Sequence, residues 1–432
     1  MNPRFFALML LLNLTCSCTI FRSIRYWTPD IDEFNAFPQA IIQSGEEKFQ
    51  FPVVLDSIIV YRRVKDPVND TIWVSIDKFL YRSSTTAYLI IRNDTIVFEQ
   101  YYRGYDRSKI STFFSVTKSV TSLLVGIAID EGYIKSIQDS VIHYIPEFKK
   151  GDPRFKKLTI EHLLNMQAGL HFNENYSNPF NHMAQLFYGR NSLGSLKKLK
   201  FEHNPGERYE YNSATTAILG IVLERAVKRP YAEYLEEKVW KPLGMEYDAS
   251  LSLDDKKHRV AKSYQGLSAT AIDLAKIGRL YLNGGNWNGK QIVSKEWVER
   301  SITPNIEEGH IGIKYRGYQY QWYSDGRTVR DSTGAYRFND SISALRFAEE
   351  SAGKYYKIWK REREDKSGRD WIVVNYPPQF YAFGVMGQVL YIDPEKKIIM
   401  VRLGEASYQA YNNVVNLMMA LTQHYPILEE KW

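Results

Sequence analysis

The feature that most constrains the fold is a pair of strand signals near each end of the chain. Ala87-Tyr88-Leu89-Ile90-Ile91 and Thr95-Ile96-Val97-Phe98-Glu99 flank the turn residues Asn93-Asp94, which is the pattern of a hairpin. Far downstream, Gln388-Val389-Leu390-Tyr391-Ile392 and Ile398-Ile399-Met400-Val401-Arg402 are joined by Asp393-Pro394-Glu395-Lys396-Lys397, a second tight connection. A sheet is therefore expected from both ends of the chain, with the intervening residues inserted as a separate lobe.

That intervening stretch reads as helix and loop. Ser115 opens a helix whose apolar face carries Val116, Val120, Leu123, Leu124 and Ile127, at spacings near three and four, and Gly132 is a natural stop. Leu158-Thr159-Ile160-Glu161 looks like a helix start with Thr159 as cap. Ala214 to Ala226 and Leu267 to Ala275 read as further helices, with turns at Asn204-Pro205-Gly206-Glu207 and Gly284 to Gly289. A last helix spans Asn412 to Thr422. The expected class is α/β in its α+β form: an antiparallel sheet flanked by helices, built from residues near 80–135 and 330–425. A mostly helical lobe is expected over roughly 136–329, inside a main domain of 79–432, with 19–78 as an N-terminal extension or tether.

At 432 residues and 44% hydrophobic, the chain can bury a large core. The net charge of +7 is spread along it, and the densest run, Lys360 to Lys366, mixes both signs. This is a solvated face or loop and not a phosphate track, so nucleic acid is excluded as a partner. The only cysteines are Cys16 and Cys18. They follow Arg4 and the apolar run Phe5 to Leu12, which together read as an export signal over 1–18, too short for a comfortable membrane span. Leu14-Thr15-Cys16-Ser17-Cys18 resembles a loose lipoprotein processing site. Cys18 is the expected lipidated residue, with Cys16 second, and the implied location is the bacterial cell envelope, held through an N-terminal lipid anchor.

The most informative short segment is Phe114-Ser115-Val116-Thr117-Lys118. Positions three apart share a helix face, so Lys118 can bring its amine to the Ser115 oxygen. A serine alcohol needs a base to become a nucleophile, and a lysine buried among apolar groups gives up its charge readily enough to serve. The neighbourhood resembles the penicillin-binding-protein and class C beta-lactamase-like serine hydrolases, in which a Ser-x-x-Lys opens a buried helix after an early hairpin. The resemblance runs over residues 80 to 425 and includes Gly104 to Phe148, Leu158 to Leu164 with Gly169-Leu170, and Leu267 through Trp297.

The resemblance implies a second motif, Tyr-x-Asn. Tyr211-Asn212-Ser213 fits that slot, with Tyr211 as phenolate or proton relay and Ser213 where asparagine usually stands. A third motif, Lys-Thr-Gly or His-x-Gly, should precede Gln388, but Ala382 to Gly387 contains neither Lys nor His. Gly384 and Gly387 would let that strand approach a substrate closely, and Gln388 is a candidate donor. Arg402 or the Arg361 region is the alternative source of the missing charge. The eight histidines include no i, i+4 pair and no HExxH run, and no nucleotide-binding glycine pattern occurs, so no cofactor or metal is expected.

These readings converge on an acyl-enzyme serine hydrolase for small esters or amides. Two alternatives remain at this stage. One is a D-alanyl-D-alanine carboxypeptidase or beta-lactamase acting on a peptide or lactam. The other is an inactive relative that serves as an envelope binding protein.

Overall fold

The computed structural model describes residues 30–56, 63–65, 73–175, 180–303, 316–331, 334–351, 356–362, 369–376, 378–405 and 410–422, together with Arg22 and Asn178. The leader with Cys16 and Cys18 and the run 363–368 lie outside them. Among the described residues no helix is long and apolar enough to cross a membrane.

A seven-stranded antiparallel sheet organises the molecule. Its strands are β1 (Thr85–Arg92), β2 (Thr95–Tyr101), β3 (Arg316–Gln319), β4 (Trp322–Asp325), β5 (Phe380–Gly384), β6 (Gln388–Asp393) and β7 (Ile398–Gly404), in the spatial order β3-β4-β5-β6-β7-β1-β2. The two hairpins seen in the sequence meet where β7 pairs with β1, Ile399 opposite Ile91 and Val401 opposite Leu89. The terminal parts of the chain thus share one sheet, as expected.

Both sheet faces are apolar because the side chains alternate by two. Leu89, Ile91, Leu390, Ile392, Ile399 and Val401 join one core with the helices α1 (Val116–Asp130), α2 (Ser213–Val227) and α3 (Ala271–Leu282). Tyr88, Ile90, Val389, Tyr391, Ile398 and Met400 join a second core, shared with helix Ile76–Arg82 and with Val414 and Met418 of α4 (Ala410–Thr422). A strand buried on both faces shows no polar alternation, which is why β1 reads as a continuous apolar run.

Three parts of the architecture were not legible beforehand. The inserted lobe is not purely helical: Gln39–Ile42, Ala249–Ser252, Leu267–Ala269 and Ser111–Thr112 form a small four-stranded sheet. The stretch Leu267 to Ala275 accordingly divides, with Thr270 capping α3 through a bond from the Asp273 N–H to its hydroxyl. Residues 39–42 also show that part of the N-terminal extension is a paired strand. Finally, the chain between β4 and β5 forms a small sheet of its own. Tyr356–Glu362 pairs along Arg369–Asn375, which also pairs with Arg327–Thr328 and Arg337–Phe338, and helix Ser341–Ser351 lies against it. The start of the mixed-charge run, Lys360 to Glu362, is therefore strand.

Helix α3 lies directly on β6 and β7. A Cβ at Gly278 would stand 2.8 Å from Ile399 Cγ2 and 2.9 Å from Leu390 Cδ1. Overpacking a core of this density costs about 1–3 kcal/mol, which outweighs the helix propensity gained from replacing glycine. Gly278→Ala is expected to lower stability within that range in urea unfolding; a midpoint at or above the parent's would show that the α3–sheet contact is looser than described.

Candidate active site

Helix α1 enters the core immediately after a strained residue. Phe114 has φ +46°, left-handed backbone that is uncommon for a bulky side chain, and Ser115 follows as the N-cap of α1. This corner lifts Ser115 to the surface of the sheet while Val116, Val120, Leu123 and Leu124 sink beneath it. Lys118, one turn on, is fully enclosed. Its Nζ lies 2.9 Å from Ser115 Oγ and 2.9 Å from the Tyr264 carbonyl oxygen. It also stands 5.1 Å from the centre of the Tyr211 ring.

The electrostatics of this group decide what it can do. Burial strips the Lys118 ammonium of water and lowers its pKa from 10.5 to about 7, and the nearby Glu174 carboxylate pulls back the other way. Burial thus favours the neutral amine within hydrogen-bond distance of the serine hydroxyl. Tyr211 behaves oppositely. Burial, with Tyr323 and Glu174 nearby, pushes its phenol well above 10 despite a hydrogen bond to Ser115. Burial thus favours the neutral Tyr211 hydroxyl over the phenolate, one of the two alternatives raised by the sequence.

Ser213 begins helix α2, capped by the Asn212 side chain on the Ala214 N–H. Both its backbone N–H and its hydroxyl donate to the Glu174 carboxylate, the hydroxyl at 3.0 Å. The small serine leaves space that Glu174 enters from the loop preceding helix His182–Tyr188. Sequence reading missed Glu174, because it lies on an irregular loop far along the chain from either partner and no motif contains it.

The third slot is the end of β5. Gly384 sits flush against the turn before α1: a Cβ there would fall 2.4 Å from the Phe113 carbonyl oxygen and 3.1 Å from the Ser115 nitrogen. Only glycine allows this approach. Gly387, at φ +77°, lies instead against Arg402, 2.3 Å from Nη1 to its would-be Cβ. Gln388 is corrected as a substrate-facing donor. It is wholly buried, its Nε2 donating to the Gly404 carbonyl at 2.7 Å and its Oε1 accepting from the Gly404 N–H at 3.1 Å. Arg402 is equally enclosed and bonded to backbone, so it does not supply the missing charge.

Aromatic side chains wall the cleft. Tyr318 packs edge-on to Tyr209, Tyr211 and Tyr323. On β4, Tyr323 belongs to this wall, whereas Trp322 points into the core against Tyr281 and Phe380. Adjacent strand residues face opposite sides, which separates them.

Comparison with known proteins places this geometry. The family model described as Beta-lactamase matches residues 76–418. The chain belongs to the beta-lactamase family. Within it, 276 residues are 29% identical to the 6-aminohexanoate-dimer hydrolase of Paenarthrobacter ureafaciens, covering 60% of this chain and 69% of that one. A solved structure from Bacillus anthracis, provisionally assigned as a 6-aminohexanoate-dimer hydrolase, superposes with a TM-score of 0.69 at 23% identity, over 90% of this chain and 91% of the other. EstCE1, a hydrolase with promiscuous acyltransferase activity, superposes with a TM-score of 0.54 at 14% identity, over 78% of this chain and 93% of its own. Both superpositions show the common fold. Membership in the beta-lactamase family supports enzymatic activity of the serine-hydrolase, acyl-enzyme type on a small-molecule substrate.

The lowered Lys118 pKa has a measurable sign. A base at Lys118 would be protonated below about 7 and unable to accept the Ser115 proton, so Ser115 reactivity is expected to fall as pH drops through that value and to level off above it. Labelling of the intact protein by a fluorophosphonate probe, followed from pH 5 to 9, is expected to show this single rise. A rate that is flat across the range would mean that Lys118 does not gate the serine.

Proposed function

We propose that this beta-lactamase-family protein is a hydrolase of small neutral esters or amides. The observation that carries the reading is the short contact between a dehydrated, largely neutral Lys118 amine and the Ser115 hydroxyl. Lys118 Nζ takes the Ser115 proton as Oγ bonds to the substrate carbonyl carbon, and the carbonyl electrons move onto oxygen. The Ser115 N–H and an amide of the Val385–Gly387 corner would receive that oxyanion. As the tetrahedral species collapses, the bond to the leaving group breaks. The proton passes from Lys118 through the Tyr211 hydroxyl to the departing alkoxide or amine. Water then repeats the sequence on the acyl-serine and releases the acid.

Substrate preference follows from charge. The end of β5 offers no cation, and Arg402 is turned away into the core. Glu174 stands beside Lys118 and Ser213 and adds no positive charge to that side of the site. A penicillin or a peptide ending in D-alanine must desolvate its carboxylate without a partner, while a neutral ester loses nothing. The aromatic wall suits an apolar acyl group.

Two variants test the residue roles. Lys118→Ala and Tyr211→Phe, each still folded, are expected to lose about 10²- to 10⁴-fold in kcat for a p-nitrophenyl ester. Parental turnover in either would remove that residue from the mechanism. Substrate class is decided by kcat/KM for the ester against a chromogenic cephalosporin, the ester being expected to exceed it; a higher Ser115-dependent value for the cephalosporin would overturn the assignment.

The envelope location remains part of the proposal. The apolar leader and the Cys16–Cys18 segment support lipid attachment at Cys18. Bacterial expression of Cys18→Ser is expected to move the protein from the membrane to the soluble fraction. Unchanged membrane retention would transfer the anchor to Cys16 or to an uncleaved leader.

A further inference from the structure

Arg402 is a buried cation without an acidic partner. It lies on β7, is fully enclosed, and no carboxylate reaches it among the described residues. Its guanidinium is spent on backbone and one hydroxyl: Nη1 donates to the Met386 and Gly387 carbonyls at 2.7 Å each, Nη2 to the Ser83 carbonyl at 2.6 Å, and Nε to Thr85 Oγ1 at 3.2 Å. Two glycines make room for it. A Cβ at Gly387 would stand 2.3 Å from Nη1, and one at Gly404 2.5 Å from Cζ. Burying an unpaired charge is expensive, and a fixed brace of this kind does not need one.

What it holds is the corner that closes on Ser115. Met386 has φ +65°, a conformation that survives in a non-glycine residue only where the surroundings impose it. The carbonyls of Val385, Met386 and Gly387 are all taken from the buried side, the first by Gln388 Nε2 at 3.3 Å and the other two by Arg402. In trans peptides the N–H points opposite the carbonyl. That N–H belongs to the next residue, so these bonds orient the peptides between Val385 and Gln388, and Gly384, at the start of the corner, abuts the Ser115 nitrogen.

We propose that Arg402 is a positioning residue for the oxyanion site: it fixes the Val385–Gly387 corner beside Ser115, and places a positive charge behind it. The inference rests on the hydrolase reading above and adds a residue that no motif of the chain contains. The guanidinium is held charged only weakly, since burial lowers its pKa to about 9. Its loss would leave three carbonyls buried without donors, and the corner would relax.

The test uses the full chain with a p-nitrophenyl ester and a small boronic acid, which forms a tetrahedral adduct with an active serine. Arg402→Met is expected to lower kcat about 10- to 100-fold, below the about 10²- to 10³-fold typical of deleting an oxyanion donor outright. KM should change less than about threefold, and boronic-acid affinity should weaken in proportion to kcat, because both depend on the tetrahedral geometry. Arg402→Lys keeps the charge but not the fork and should recover part of the loss. It also decides the matter alone if the methionine variant does not fold. All rates are taken well below each variant's Tm, so that a purely structural role would lower Tm and leave kcat intact. Folded variants with parental kcat and boronic-acid affinity would overturn the inference alone. A parent without Ser115-dependent turnover would overturn the hydrolase reading and this inference with it.

Discussion

The site depends on keeping water away from one amine. An exposed lysine at Lys118 would stay protonated at neutral pH and could only donate to Ser115. Enclosure by the Tyr211 and Tyr264 rings, with the Tyr264 carbonyl as its other hydrogen-bond partner, reverses the preference. The same enclosure drives the Tyr211 phenol in the opposite direction, because burial disfavours whichever form is charged. One physical cause thus moves the two pKa values in opposite directions, each toward the neutral form. Glu174 moderates the effect. It retains some attraction for the ammonium, so the amine is poised near neutrality.

The rigidity of the surrounding framework follows from that requirement. Helix α1 is buried along nearly its whole length, between α2 and the sheet. Ser119 donates to the Gln321 carbonyl at 2.7 Å, and the Gln321 side chain reaches the Leu163 and Leu164 carbonyls at 3.0 and 2.8 Å. These bonds tie the helix carrying the nucleophile to both lobes. The lobes are joined again on another side, where Arg107 bridges Glu99 of β2 and Glu246 of the inserted lobe. A cleft between two lobes stays dry only if their separation is fixed.

What could be read from the sequence divides along physical lines. The sheet hairpins, α1, α2 and α4 announced themselves because their apolar periodicity is local, and Ser115 and Lys118 because both sit on one turn. Tyr211 followed from family resemblance and stands beside them in the structure. What escaped is non-local. Gln39–Ile42 is a strand only because Ala249–Ser252 waits for it. Glu174 reaches Ser213 across a loop. Gln388 was assigned to the cleft from its place beside the third motif, yet its side chain falls on the inner side of the corner, where Gly404 offers both a donor and an acceptor. Arg402 was read as a possible substrate contact for want of any sign that Met386 and Gly387 would turn their carbonyls toward it.

The pairing of β7 with β1 carries a consequence for how the protein comes to exist. Leu89 and Val401 are neighbours in the sheet but lie roughly 300 residues apart in the chain, a long-range closure of the kind that slows folding. The corner facing Ser115 hangs from β5, β6 and β7, all made long after α1. A growing polypeptide therefore carries its nucleophile for most of its length before the opposing wall exists. The arrangement around Ser115 exists only once these strands have paired, so a chain that has emerged only as far as α3 holds Ser115 and Lys118 without the wall opposite them.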